Sequence, residues 1–201
     1  DSEANSNELE FSELWWKERN VKRDNPKVFF IGTFSTAFNF DQIYIAAKSM
    51  NNCQFILCGD GPCLDEIKDK MSDLSNVFFT GWIDNVKMKS LSEISIASIA
   101  PYKNLQNFTL NIPNKIVDSL LMGLPILCPL GGEVKKLVNK YNIGYIYGPE
   151  LSLAKCIETL IKNKDLQATM SANAYKLYNT EFEFNYVYDN LVRHLEFISK
   201  K

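Results

Sequence analysis

Lys115 and Asp118 stand three residues apart behind a proline, in the run Asn111-Ile112-Pro113-Asn114-Lys115-Ile116-Val117-Asp118. Proline suits a helix N-terminus, with Asn111 or Asn114 as candidate caps, and this spacing puts both charges on one helix face near its start. An ammonium there can neutralise a phosphate, and a carboxylate can accept two hydroxyl hydrogen bonds from a ribose. The same spacing suits a solvated ion pair worth roughly a few tenths of a kcal/mol. Spacing alone favours the ion pair and leaves both readings open.

Three further loops carry residues with chemical potential. Gly32-Thr33-Phe34-Ser35-Thr36 follows an apolar run. Its glycine allows close backbone approach, and a following helix N-terminus would aim amide donors at an anion. Gly59-Asp60-Gly61-Pro62 reads as a structural turn, with Pro62 in the first turn of the next helix and Asp60 beside its cap. In Thr80-Gly81-Trp82-Ile83-Asp84, the indole of Trp82 either offers a flat wall to a nucleobase or covers the end of a sheet. Pro101-Tyr102 and Gly123-Leu124-Pro125 flank the Lys115–Asp118 run.

The elements that must position these loops alternate in kind. Strands are expected at Val28 to Ile31, Phe55 to Cys58, Val77 to Phe79, Ile94 to Ile99, Pro125 to Cys128 and Ile143 to Tyr147. Each is a short continuous apolar run, the pattern of strands buried on both faces of a parallel sheet. Helical periodicity joins Phe40, Ile43, Tyr44, Ala47 and Met50, then Leu64, Ile67, Met71 and Leu74, then Leu153, Ile157, Leu160 and Ile161. The helix over Val86 to Glu93 is the weakest. Strand followed by helix, repeated, predicts an α/β fold with a doubly wound parallel sheet of the Rossmann kind. In such sheets ligands bind beyond the carboxyl ends of the strands, where all these loops fall.

Residues 1–26 read as a linker or inter-domain segment, 27–181 as the Rossmann-like domain, and 182–201 as an amphipathic helix. That last helix carries Phe184, Tyr188, Leu191, Val192, Leu195 and Ile198 on one face. The opening Asp1 to Asn7 lacks the pattern of a signal peptide, and the absence of an initiating Met suggests a piece of a longer chain.

The 201 residues hold 22 basic and 24 acidic side chains, so no nucleic-acid footprint is present and no nucleic-acid partner is expected. Five cysteines without a CxxC pair, and a single histidine, His194, give no metal-ligand pattern. They read as reduced thiols of a cytoplasmic protein.

The run from Ile112 to Ile126 resembles the Pro-x-Lys-x-x-Glu-x-x-x-x-Gly-x-Pro signature of glycosyltransferase family four, in the form found in surface-polysaccharide and lipopolysaccharide enzymes. Phe55 to Pro62 is similar to that family's apolar strand and Gly-Asp-Gly-Pro turn, and Asn76 to Ile83 to its Asn-Val-x-Phe-x-Gly strand. Gly144 and the stretch Met170 to Phe182 match its closing pattern. The likeness covers about residues 27–199 and implies the carboxy-terminal, donor-binding half of a two-Rossmann-domain (GT-B) transferase.

Residue by residue, the resemblance places Asp118 on the ribose hydroxyls and Lys115 on the diphosphate of a UDP- or GDP-sugar. Gly32, Thr33 and Ser35 would donate to the phosphates. Trp82 and Ile83 would line the base pocket, Tyr102 would close its far side, and Leu110 to Pro113, Asn111 among them, would face the transferred sugar. Leu110 stands where the family has its first glutamate, and Asp118 is one methylene shorter than the second. The first loop lacks the usual Arg and Lys.

The resemblance further implies a retaining reaction with a saccharide or lipid-linked acceptor. With no Asp-x-Asp in the chain, a metal-independent reaction without cofactor is expected. Acceptor-side catalytic residues would come from an N-terminal Rossmann domain or a partner subunit, so this chain alone is expected to be inactive. Peripheral membrane association would belong to the full-length protein. The alternatives are a donor-binding subunit of a two-chain transferase and a sugar-nucleotide epimerase domain.

Overall fold

The structure, a computed structural model, describes residues 14–199. Its strands are β1 (Lys27–Ile31), β2 (Gln54–Cys58), β3 (Val77–Gly81), β4 (Ala97–Ile99), β5 (Ile126–Cys128) and β6 (Gly144–Ile146). All pairings between them are parallel, in the order β3-β2-β1-β4-β5-β6. The doubly wound fold expected from the alternating runs is therefore the observed one. Strand order reverses between β1 and β4, and the crevice above that reversal is where such sheets bind ligands.

Alternation along the central strands explains why the apolar runs are continuous. Val28 and Phe30 of β1, with Phe55 and Leu57 of β2, enter the larger core, which includes Ile43 and Ile67. Phe29, Ile56 and Cys58 point the other way, into a second cluster with Leu91. Both faces are buried, so no position along these strands can be polar without a partner.

Helices α1 (Asp41–Ser49) and α2 (Leu64–Lys70) cover the first face. Helix α3 (Asn85–Glu93), the weakest by periodicity, forms because the Asp84 side chain accepts from Lys87 N and caps it, while Leu91 is buried. The chain continues through α4 (Gln106–Thr109), α5 (Asn114–Leu121), α6 (Gly132–Tyr141), α7 (Leu153–Lys162) and α8 (Lys164–Leu177). A π-helical turn, Tyr178–Phe182, then leads into α9 (Phe184–Ser199). None of the helices is long and apolar enough to cross a membrane, among the described residues.

Two sequence expectations are corrected here. The strand expected over Ile94 to Ile99 is shorter, because Ile94 closes α3 and Ser95 Oγ donates to Leu91 O, holding that stretch in the helix end. Residues 1–26 read in sequence as a linker or inter-domain segment. Residues 14–18 are instead helical, and Trp16 is 2% exposed within the second cluster. Its indole Nε1 donates to Ser90 Oγ of α3 at 2.8 Å. Trp15 remains half-buried, with the Arg19 guanidinium 3.6 Å from its ring centroid. The part of the 1–26 segment before Leu14 lies outside the described residues.

Lys27 fastens the same end of the sheet. Its ammonium is buried and donates to Arg23 O, Asn25 O and Ile94 O at 2.9, 2.7 and 3.2 Å. Burial pushes its pKa down to about 8, against the attraction of Cys53 and Asp24. At the other extreme of the chain, α9 carries its expected apolar stripe with every side chain exposed.

Candidate functional site

The site is built from the loops above β1, β2 and β4. Gly32 follows β1 and donates its N–H to Cys58 O at 2.9 Å. A Cβ on Gly32 would come within 1.8 Å of Lys115 Nζ, and its φ of +151° already disfavours a side chain. The glycine therefore opens the channel through which Lys115 reaches from α5 to the end of β1.

Lys115 Nζ donates to Ile31 O at 2.6 Å and sits 5.1 and 5.4 Å from the ring centroids of Phe30 and Phe38. The ammonium is not spent on a surface ion pair; a strand-end carbonyl and two aromatic rings hold it at the switch point. Burial lowers its pKa, and the charge of Asp118 opposes that shift. Of its three N–H donors, one is used by Ile31 O, which leaves donors for an anion above the crevice.

Asp118 lies one turn further along α5, at an exposed position. Desolvation by its surroundings raises its pKa, and Lys115 opposes that rise. Lys115 and Asp118 line one small cavity of about 40 Å³ with Ile31, Met88, Ser98 and Met122. Ser98 Oγ and Ser119 Oγ, 2.6 Å apart, anchor α5 to β4 from beneath, and Ser119 Oγ donates to Lys115 O.

The first loop is longer than its glycine suggested. Helix α1 starts only at Asp41, and the carboxylate of Asp41 in its first turn is ion-paired with Lys70. That N-terminus therefore does not sit behind Gly32 as the sequence suggested. Residues 32–40 instead fold against the segment just after β4, with a bridge between Phe38 and Tyr102 and a bond from Lys103 N to Ala37 O at 2.9 Å. Thr33 is exposed, and Ser35 is half-buried, its Oγ accepting from Ala37 N at 3.4 Å.

The Gly59-to-Pro62 turn packs this loop from below. A Cβ on Gly59 would meet Gly32 O at 2.0 Å, so the turn is structural. Asp60 Oδ1 accepts from Gly61 N, and the helix cap is Cys63, so Pro62 precedes the helix and does not lie in its first turn, and Asp60 is not beside the cap. Likewise neither Asn111 nor Asn114 caps α5. Pro113 holds the cap position, and Asn111 Nδ2 donates to Asn107 O instead.

The remaining expected residues differ in how much they present. Trp82 is 65% exposed, so it does not cover the sheet end. Ile83 is half-buried against the second cluster. Tyr102 is 8% exposed, with ring centroids of Phe38 and Phe108 at 4.7 and 4.9 Å, so it mainly props the first loop. Burial is the main cause that pushes its hydroxyl up to about 12.

Sequence reasoning missed Phe30 and Phe38 as the seat of the ammonium, and Met88 and Met122 as cavity walls. Apolar residues in core-like positions carry no local signal for such roles. A much larger cavity, about 720 Å³, lies elsewhere, below the amino ends of β1 and β4 among Trp16, Val21, Lys22 and Ile94. None of the loops at the strand carboxyl ends reaches it.

The family model described as "Glycosyl transferases group 1" matches residues 12–177. No curated protein matches the chain. Among solved structures, the chain is similar to HepE of Anabaena in complex with UDP-glucose, at 19% identity and a TM-score of 0.75. That match covers 94% of this chain and 52% of HepE. It is also similar to WaaG, a glycosyltransferase involved in lipopolysaccharide biosynthesis, at 15% identity and a TM-score of 0.66, covering 85% of this chain and 47% of WaaG. A third is the C-terminal domain of the group 1 family protein LpcC from Francisella tularensis, at 16% identity and a TM-score of 0.64, covering 85% of this chain and 92% of that one. The chain thus spans about half the length of HepE and WaaG.

Proposed function

The chain belongs to the glycosyl transferases group 1 family, and from that membership we propose that it is the donor-binding half of a family-four transferase of the surface-polysaccharide type. Its donor is a UDP- or GDP-sugar, and its acceptor a saccharide or lipid-linked glycan. The observation that carries this reading is the Lys115 ammonium seated at the β1/β4 switch point, with Asp118 one turn away. A diphosphate placed above Gly32 meets that ammonium and the amides of Thr33 and Ser35, while the ribose reaches Asp118; the amides of Gly32 and Phe34, against the sequence expectation for Gly32, are taken by Cys58 O and Asp60 O. The complex of HepE with UDP-glucose, a protein of the same fold, supports the choice of ligand class.

Bond cleavage at the sugar builds negative charge on the departing nucleoside diphosphate. Lys115 stabilises that charge from a position fixed before the reaction, so the fold supplies preorganised electrostatics and the step is metal-independent. Retention of configuration is part of the proposal. The acceptor and its acid or base come from a second Rossmann domain, in this chain's continuation or in a partner subunit. The exposed stripe of α9 is the surface we assign to that domain. We place the protein in the cytoplasm, where its five thiols stay reduced.

A thermal-shift panel tests the reading directly. Either UDP or GDP, at about a hundredfold over its Kd, should raise the Tm of the 201-residue chain by a few degrees. The same chain should transfer no sugar to an added acceptor. Absence of protection by both nucleotides at millimolar concentration would overturn donor binding, and sustained transfer by the chain alone would overturn the need for a second domain.

A further inference from the structure

The segment between β4 and α5 holds the residues assigned to the transferred sugar, Leu110 to Pro113, and it is tied down at two points away from the anion seat. At its start, Asn104 Oδ1 accepts from Gly131 N at 2.9 Å, joining the loop after β4 to the loop after β5. Further on, just before Leu110, Thr109 O rests on Gly132, where an added Cβ would come within 2.0 Å of that carbonyl at a φ of +60°. Between the two ties, α4 is a single turn with no buried residue. A turn that short does not hold its own place in water. Its position is set by the ties and by the packing of Phe108 on Tyr102.

We propose that Asn104 is a positioning residue for the donor sugar. This rests on the donor-binding reading above and adds a division of labour within the site. Lys115 is held independently, by Ile31 O, so the nucleotide diphosphate does not depend on the Asn104 bond. The sugar does, because its wall, Leu110 to Pro113, follows directly on the stretch held at Asn104 and against Gly132. Exposed Leu110 sits in that wall, so contact there depends on where the segment is held and not on a charge that could reach across a gap.

The test compares ligands with and without the sugar on three proteins: the parent chain, Asn104→Ala and Asn104→Asp. The probes are UDP with UDP-glucose and GDP with GDP-mannose, measured by calorimetry. Asn104→Ala should leave nucleotide affinity within about twofold and weaken the matching nucleotide sugar about tenfold, the scale of one lost hydrogen bond. Asn104→Asp keeps the acceptor for Gly131 N and should restore sugar binding to within about threefold. Hydrogen exchange over residues 105–112 should quicken in the alanine variant and return to the parent rate in the aspartate variant.

Equal losses for nucleotide and nucleotide sugar, or no rescue by aspartate, would overturn the positioning role while leaving donor binding intact. A parent chain that binds neither class of ligand would overturn both.

Discussion

Trp16→Ala is expected to cost about 3–5 kcal/mol of folding stability, the usual loss for truncating a fully buried aromatic. Trp16 is 2% exposed, its neighbours in the second cluster include Val21, Phe29, Leu91 and Leu124, and its indole N–H is satisfied by Ser90 Oγ. Truncation removes the ring's apolar contacts and leaves a cavity between the sheet and α3. Against a typical total of about 5–15 kcal/mol, that takes much of what the chain has. A lower urea midpoint with unchanged slope would report it.

Two controls make the result specific. Trp16→Phe keeps most of the ring and should lose about 1–2 kcal/mol, chiefly the hydrogen bond and some area. Trp15→Ala, whose ring is half-buried beneath Arg19, should lose about 1 kcal/mol or less. A loss under 1 kcal/mol for Trp16→Ala would mean that residues 14–21 do not belong to this core.

The second large effect falls on ligand binding. If Asp118 accepts the ribose hydroxyls, Asp118→Ala removes a charge-assisted pair worth about 1.5–3 kcal/mol, or roughly 10- to 150-fold in nucleotide affinity. The fold should be nearly indifferent, because Asp118 stands at an exposed position. The 2′,3′-dideoxy nucleotide supplies an internal check: it should bind the parent weakly and the variant no worse. Acidification adds a second. The carboxylate is the accepting form, and its pKa is raised, so affinity should fall as pH drops through a range above that of an ordinary aspartate. Equal nucleotide affinity for parent and Asp118→Ala, with circular dichroism unchanged, would take Asp118 out of the site.

Much of the architecture is written locally. Val28 to Ile31 and Phe55 to Cys58 are continuous apolar runs because each strand is buried on both faces, and such runs alternating with helical periodicity leave little choice but a doubly wound sheet. Where the chain punctuates itself more subtly, local reading slips by a few residues. Ile94 to Ser95 reads as strand from composition, yet Ser95 bonds back into α3. Asp41 begins its helix nine residues after Gly32, because residues 32–40 find their partners in the turn after β2 and in the segment just after β4, far along the chain.

Periodicity and spacing within single segments are enough to give the parallel α/β sheet, the family likeness and the placing of Lys115 and Asp118 on one helix face. How Lys115 is held depends instead on residues far from it in the chain. Lys115 escapes an ion pair because Gly32 leaves room, Ile31 offers a carbonyl, and Phe30 and Phe38 supply two ring faces. Those partners lie some eighty residues away in sequence, and no local pattern records them. Trp16 teaches the same lesson in reverse: two adjacent indoles look alike in sequence, and only the position of Ser90 on α3 buries one and leaves the other half in water.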